Sequence, residues 1–326
     1  MLVLVTGGGG FVGHHLVRRL LAGGDRVRCL LRRPGIPEGL AGLPVEVVVG
    51  DVTRPATLPA ALEGVEEVHH LAARLTALSE REMYETNARG TYNLVAASCA
   101  VPTLRRFVHC SSLAVSGPSD GTAGVTEACT YRPVTWYGAS KALAERIVLA
   151  SAERGLPAVV VRPPVVYGPR DRGLLSVFQT LSKGVRPLLG PQPKTYSWVH
   201  GADLADALVT LGRHPDALGR AWFAAHEETA TLERFLDLAL KALGRRARTV
   251  RLPVSFVRIL AGAADLCAQA SGTPAMLTRD KVNELAPMAW VCRTDAAASE
   301  LGWRARTPLE VGVPETARWY REQGWI

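Results

Sequence analysis

Lysine is scarce in this 326-residue chain: Lys141, Lys183, Lys194, Lys241 and Lys281 are the only ones among 38 lysines and arginines. The formal charge of +8 is therefore carried by arginine, scattered and mostly interleaved with acids or leucines. No run of five basic residues occurs, so no nucleic-acid-binding arm is indicated. Six cysteines (Cys29, Cys99, Cys110, Cys129, Cys267 and Cys292) show neither C-x-x-C nor metal-ligand spacing, which argues for free thiols and no metal site. An uncharged apolar run of about 18 residues is also missing, so no membrane-spanning helix is expected. The nearest approach, Pro253–Gly272, is interrupted by Arg258 and Asp265 and reads as a half-buried helix. The apolar start Met1–Val5 runs straight into glycines, unlike a signal peptide, and a cytoplasmic location is expected. No internal repeat or low-complexity linker divides the chain, and an apolar content of 48% suffices for one large or two closely packed domains.

What is present begins with a strand-like run, Leu2–Thr6, a turn Gly7-Gly8-Gly9-Gly10-Phe11-Val12-Gly13 and a helical stretch His14–Ala22. In that context Gly7 permits a tight turn, Gly10 admits a pyrophosphate, and Gly13 lets the helix pack on the sheet. The free N–H groups at the helix start would hold the phosphate charge. A second strand, Arg26–Leu31, ends in Arg32-Arg33 where an NAD enzyme usually carries an acid. Arginine there suits a 2′-phosphate, so NADP(H) is preferred over NAD(H); the plain alternative is a pair of solvated arginines. Val45–Val49 ends at Asp51-Val52, where the aspartate can meet an adenine amino group or cap the next turn. Glu67–Leu71 runs into Ala72-Ala73, small enough to leave room for a cofactor, and His69 and His70 read as strand packing residues. Glu82–Cys99 is helical by period and contains Asn87; Arg106–Cys110 ends at Ser111-Ser112; Ala158–Val161 is a sixth strand.

Tyr137 and Lys141 stand four apart, so a helix from Tyr137 to Arg154 puts both on one face. An adjacent ammonium would lower the phenol pKa and turn Tyr137 into an acid–base group. Alternation of strand and helix over the first half predicts an α/β Rossmann doubly wound parallel sheet, with its ligand crevice at the carboxyl ends of the strands. Residues 1–166 are expected to form the dinucleotide-binding domain. Residues 167–326 should form a smaller substrate-binding domain, with a segment at about 196–225 returning to the first.

Together, Thr6-Gly7-x-x-Gly10-Phe11-x-Gly13, Asn87-x-x-Gly90-Thr91, Ser111-Ser112, Tyr137-x-x-x-Lys141 and Arg162-Pro163-x-x-Val166-Tyr167-Gly168-Pro169 make the chain resemble an extended short-chain dehydrogenase/reductase over nearly its whole length. That group includes nucleotide-sugar epimerases and dehydratases, 3β-hydroxysteroid dehydrogenases and dihydroflavonol reductases. The resemblance implies that Gly7, Gly10, Phe11, Val12 and Gly13 hold the pyrophosphate and that Asp51 and Val52 meet the adenine. By the same resemblance Leu71, Ala72, Ala73, Pro163 and Val166 line the nicotinamide side. Asn87 and Ser111 then face the cofactor, Ser112 hydrogen-bonds the reacting oxygen, Tyr137 is the acid–base, and Lys141 binds the nicotinamide ribose and lowers the tyrosine pKa.

The branch is read from what departs from the pattern. The Asp-Glu pair that follows the catalytic Ser/Thr in the 4,6-dehydratases is replaced by Leu113-Ala114. The arginine of sugar epimerases four residues before His200 is replaced by Tyr196, and Val282–Trp290 offers no second phosphate-binding arginine. The second half is instead apolar, with Leu174, Leu175, Val177, Phe178, Leu188, Leu189, Phe256, Ile259 and Leu260, although many of these should be core. The expectation is an NADP(H)-dependent reductase of a hydrophobic ketone, such as a β-keto lipid, a sterol-like or a polyketide-like compound. An NAD-dependent nucleotide-sugar epimerase is the alternative, and a non-catalytic NADP(H)-sensing module a distant third. A homodimer is plausible if Leu94, Val95, Leu143, Ile147 and Val148 pair across a two-fold axis; they could equally face the sheet.

Overall fold

A computed structural model describes residues Met1–Ile326. Its first half alternates strand and helix: β1 Leu2–Thr6, α1 Phe11–Ala22, β2 Arg26–Leu31, β3 Val45–Val49, α2 Leu58–Leu62, β4 Glu67–His70, α3 Glu80–Tyr84, α4 Gly90–Cys99, β5 Arg106–Cys110, α5 Trp136–Ala152 and β6 Ala158–Arg162. Side chains alternate across a strand, and β1 shows the consequence. Val3 and Val5 meet Leu16, Val17 and Leu20 of α1 on one face, while Leu4 meets Leu94 and Val95 of α4 on the other. With both faces covered, β1 and β6 are largely apolar, as parallel sheets favour, whereas β4 and β5 bury His69, His70 and His109 among their apolar residues.

The second half contributes β7 Val165–Tyr167, α6 Leu175–Ser182, β8 Val185–Leu189, β9 Thr195–Tyr196, β10 Trp198–His200, α7 Gly201–Arg213, β11 Ala221–Phe223, β12 Ala230–Thr231, α8 Leu232–Leu243, β13 Arg248–Leu252, α9 Val254–Ser271, α10 Arg279–Leu285, β14 Ala289–Trp290, α11 Asp295–Leu301 and α12 Leu309–Glu322. Three of these elements serve the first half, among them α11, whose Ala297 and Leu301 join the core around β1 and α1. β11 pairs in parallel with β6, and α7 packs beside α1 through Leu204, Leu208 and Leu211. The main sheet is thus seven-stranded and parallel, in the order β3-β2-β1-β4-β5-β6-β11. Its strand order reverses between β1 and β4, which opens the ligand crevice at their carboxyl ends. The remaining elements surround an aromatic core of Tyr167, Phe178, Trp198, Phe235 and Tyr320, with Trp198 and Phe235 stacked 4.6 Å apart.

Three expectations change. The helix expected over Glu82–Cys99 is α3 and α4 joined by a π-helical turn, Glu85–Arg89, which carries Asn87. Ser79 caps α3 by accepting from the Glu82 N–H, so the helix begins ahead of Glu82. Of the apolar residues expected to shape the substrate space, Phe178 and Leu188 are core, whereas Phe256, Ile259 and Leu260 face outward. The residues considered for a dimer contact divide: Leu94, Val95 and Val148 face the sheet, and Leu143 is exposed. No helix is long and apolar enough to cross a membrane.

Candidate active site

The glycine turn is shaped by close approach. Gly7 takes φ +77°, and a Cβ there would stand 2.8 Å from the Ala72 nitrogen. A Cβ on Gly13 would lie 2.1 Å from the Gly7 carbonyl oxygen, so only glycine lets α1 start this close to β1. The first intrahelical bond runs from the His14 N–H to the Gly10 oxygen at 2.9 Å. The N–H groups of Phe11, Val12 and Gly13 precede it, and the first turn carries no acid and no side-chain cap. These features fit a dinucleotide pyrophosphate, which needs backbone donors and a helix N-terminus clear of negative charge.

After β2, Arg32 and Arg33 are exposed and make no ion pair or hydrogen bond. Asp51 serves the turn with one oxygen: its Oδ1 accepts from the Thr53 N–H at 2.8 Å and the Thr53 hydroxyl at 2.9 Å. Val52 is buried against Gly90, where a Cβ would come within 2.7 Å of it. One residue that the sequence did not single out also converges here. Arg170 has φ +74° and is alone among non-glycine residues in the left-handed region. Its Nη2 stands 3.4 Å from where a Gly39 Cβ would be, a point itself 3.5 Å from the Gly9 carbonyl oxygen. Strained backbone of this kind persists where surrounding structure holds it, commonly at ligand sites.

Beneath the ends of β1 and β4 runs a chain of hydrogen bonds. The Ala72 N–H donates to the Thr6 hydroxyl at 3.1 Å, and that hydroxyl lies 2.7 Å from His70 Nδ1. His70 Nε2 lies 2.9 Å from the Thr91 hydroxyl, which donates to the Asn87 carbonyl at 2.6 Å. Since Thr91 spends its proton on Asn87, it accepts from His70 Nε2–H, and His70 Nδ1 accepts from Thr6. His70 is therefore a neutral imidazole; burial, with the Lys141 charge, lowers its pKa to about 3. The network fixes Ala72 against the glycine turn, while Leu71 donates its N–H to the Thr6 carbonyl and Ala73 follows on the strand end. Asn87 corrects the expectation of a cofactor-facing amide. Its Oδ1 accepts from the Arg74 N–H at 2.7 Å, and its Nδ2 donates to the Arg74 carbonyl and to Ser140 Oγ, each at 3.0 Å. It ties the π-helical turn to α5 from a buried position.

The start of α5 carries Tyr137 and, one turn on, Lys141. Thr135 caps it by accepting from the Gly138 N–H at 3.0 Å. A Cβ on Gly138 would stand 2.7 Å from the Ala114 carbonyl, so glycine lets the helix start press against the turn after β5. That turn carries Ser112, whose Oγ accepts from the Ala114 N–H at 3.1 Å and lies near enough to the Tyr137 hydroxyl to pull its pKa down. Lys141, one turn on, is buried and donates to the Cys110 carbonyl at 2.6 Å; its Nζ lies 3.3 Å from His109 Nε2. Burial lowers the Lys141 pKa to about 8, against the opposing pull of Cys110 and Glu145. The expectation that Lys141 depresses the Tyr137 pKa does not hold in the free protein. Burial and the neighbouring Cys110 push that phenol up, and the Ser112 hydrogen bond only partly offsets them. Tyr137 is accordingly a protonated phenol poised beside a hydroxyl.

Ser111 is the second correction: it points away from the crevice. Its hydroxyl donates to Glu145 Oε2 at 2.5 Å, and its own N–H to the Val161 carbonyl at 2.7 Å. Glu145 is wholly buried and also accepts from the Tyr131 hydroxyl at 2.8 Å and Arg162 Nε at 3.0 Å. Arg162 is equally buried, its charge paired with Glu145. Nothing in the motifs singled this pair out, although a signal existed in the chain. Glu145 stands four residues beyond Lys141 on the face that α5 buries, and Arg162 is the one charge on an otherwise apolar strand. The pair ties α5 to the end of β6, from which Pro163 accepts the Leu113 N–H at 2.8 Å. Val166 lies three residues past the buried Pro163, half-buried on β7 beside β10.

Residues 3–223 match the model of the NAD dependent epimerase/dehydratase family. The chain belongs to that family. Along its whole length it is 31% identical to a ceramide reductase of Caulobacter vibrioides, covering 96% of that protein. It is 32% identical over 276 residues to a 3 beta-hydroxysteroid dehydrogenase/Delta 5-->4-isomerase of Mycobacterium tuberculosis, 78% of this chain and 73% of that one. Among solved structures, a dTDP-glucose 4,6-dehydratase from Streptomyces venezuelae, with NAD bound, superposes with a TM-score of 0.81 at 27% identity, covering 100% of this chain and 98% of the other. As a member of this family the chain is an NAD(P)-dependent oxidoreductase acting on CH–OH and C=O groups.

Proposed function

We propose that the enzyme reduces a ketone on an apolar or amphiphilic substrate with NADP(H). The observation that carries this reading is the placement of a buried Tyr137 phenol, held in its protonated form, near the Ser112 turn and one helical turn from the buried Lys141. When bound, the nicotinamide supplies the hydride that a carbonyl carbon accepts. The chain's own residues manage the oxygen. Ser112 already accepts from the Ala114 N–H, so its hydroxyl proton is available to the substrate oxygen. Tyr137 donates a second hydrogen bond there and, as charge grows, its proton. The buried Lys141 ammonium lies one turn below and holds the ribose side of the cofactor in this reading. Gly7, Gly10 and Gly13 with the N–H groups of Phe11 and Val12 take the pyrophosphate, and Arg32, Arg33 and Arg170 surround the adenosine phosphate.

Leu113 and Ala114 occupy the positions where a dehydratase needs an acid–base pair, and both are buried. Ceramide and 3β-hydroxysteroid, in the names of two relatives, are apolar molecules. A further relative, 29% identical over 265 residues, is a 2-alkyl-3-oxoalkanoate reductase of Shewanella oneidensis. These names support a β-keto lipid or a sterol-like or polyketide-like ketone as the substrate class. The test is NADPH consumption with a panel of such ketones, run beside Tyr137→Phe. Turnover that this variant loses about 100-fold or more, with NADPH binding retained, is expected. Full activity in Tyr137→Phe overturns the mechanism, and NAD retained tightly through purification with no ketone reduced points to sugar-nucleotide epimerisation.

A further inference from the structure

Surface helices normally turn apolar residues inward and polar ones to water. Helix α9 does this with only one of its two apolar faces. Val257, Ala261 and Ala268 are buried, and Gly262 packs so closely that a Cβ would meet Arg279 Nη2 at 2.6 Å. On the outer side Phe256 is 47% exposed, Ile259 71%, Leu260 45% and Leu266 73%. Steps of three, four and seven residues put these four on one stripe, filled in by exposed Ala263, Cys267 and Ala270. Met276, in the segment after the helix, is also 63% exposed.

Arginine predominates in the segment that leads into this helix. Arg245, Arg246, Arg248 and Arg251 stand exposed on and before β13, which leads through Pro253 into α9, and Arg258 is exposed on the helix flank. Arg245, Arg246 and Arg248 have no acidic partner. The acids nearby are engaged: Asp265 accepts from the Arg279 N–H, Asp280 from the Trp136 N–H, and Glu284 from Lys281. An apolar stripe on a helix preceded by exposed, unpaired arginines, with Arg258 on its own flank, suits a helix lying in a bilayer interface with anionic headgroups. A second copy of the chain seated on the same stripe would bring like charges together, which disfavours self-association.

The helix is also close to the chemistry. α10 packs on α9, and its Asp280 carboxylate accepts the backbone N–H of Trp136, the residue before Tyr137, at 3.1 Å. Glu284 of the same helix contributes to the field at the Tyr137 hydroxyl. We infer that the outer stripe of α9 docks on an anionic lipid bilayer, so that an amphiphilic substrate passes from the membrane to the crevice beneath α9 and α10. The substrate part rests on the proposed ketone reduction; the docking does not.

The test is flotation of the full chain with vesicles of phosphatidylcholine containing phosphatidylglycerol, and with phosphatidylcholine alone. Wild type is expected to float with the anionic vesicles and to be released by high salt. Ile259→Glu with Leu266→Glu should cut the bound fraction at least tenfold, and Arg245→Ala/Arg246→Ala/Arg248→Ala should abolish the preference for anionic lipid. Both variants should keep wild-type turnover of a water-soluble β-keto ester, because the substituted side chains are exposed. No flotation with either vesicle, or flotation that neither variant changes, overturns the inference. So does a wild-type dimer in sedimentation that Ile259→Glu/Leu266→Glu dissolves, since the stripe then belongs to a second copy. Flotation without turnover of the soluble ketone leaves the docking standing and counts against the reductase reading alone.

Discussion

The Lys141 ammonium donates to the Cys110 carbonyl, at 2.6 Å, and not to the Tyr137 hydroxyl four residues earlier. The lysine is thereby tethered to the end of β5, and burial, not a neighbouring phenolate, dominates its proton affinity. A base whose pKa falls on folding is charged below the folded value and neutral above it. The ammonium is therefore present up to about pH 8 and lost above it. NADPH affinity, followed by fluorescence titration, should weaken as pH rises through that value. In Lys141→Arg the alkaline decline should disappear, because guanidinium stays charged; an unchanged decline would assign it to another group.

Arg32 and Arg33 lie exposed and unpaired at the end of β2. If they receive the 2′-phosphate, Arg32→Ala/Arg33→Ala should lose about tenfold or more in NADPH affinity, ~1.4 kcal/mol. NADH affinity should stay the same. Calorimetric titration with both cofactors decides it, and equal losses for the two would place the arginines elsewhere on the cofactor.

Glu145 and Arg162 form a fully buried ion pair, braced by Ser111 and Tyr131. Removing one partner strands the other charge in the core, at a cost of about 3–5 kcal/mol. Glu145→Ala should show that loss in urea unfolding. A double replacement, Glu145→Leu/Arg162→Met, should recover most of it, since neither charge then remains to be buried.

His70 is neutral in the folded protein, with its pKa lowered from 6.5 to about 3. Between those values the unfolded chain binds a proton that the folded chain refuses, so stability falls as pH drops through the window. His15, lowered to about 4 mainly by burial, adds to the same trend. Thermal unfolding should therefore drop in midpoint below pH 6.5. His70→Gln, measured relative to its own value at pH 7, should decline less steeply.

How much of this was legible in the chain follows from the range of the forces involved. Short-range patterns were enough for the parallel sheet: apolar runs of strand length, a glycine turn whose spacing suits a pyrophosphate, and Tyr137 and Lys141 one helical turn apart. Those features depend on neighbours within a few residues, and backbone geometry translates them directly. What Ser111 faces was decided by Glu145, 34 residues on, and the amide of Asn87 by Arg74 and Ser140 across a π-helical turn. The proton affinities of Tyr137 and Lys141 were likewise set by burial, which a spacing cannot express. The arginine-rich composition and the apolar segment after Pro253 were plain in the sequence. Only the tertiary structure decided that Val257 and Ala261 turn inward, leaving Ile259 and Leu266 to face outward, because the small cluster with Val282 can cover one face of that helix and not both.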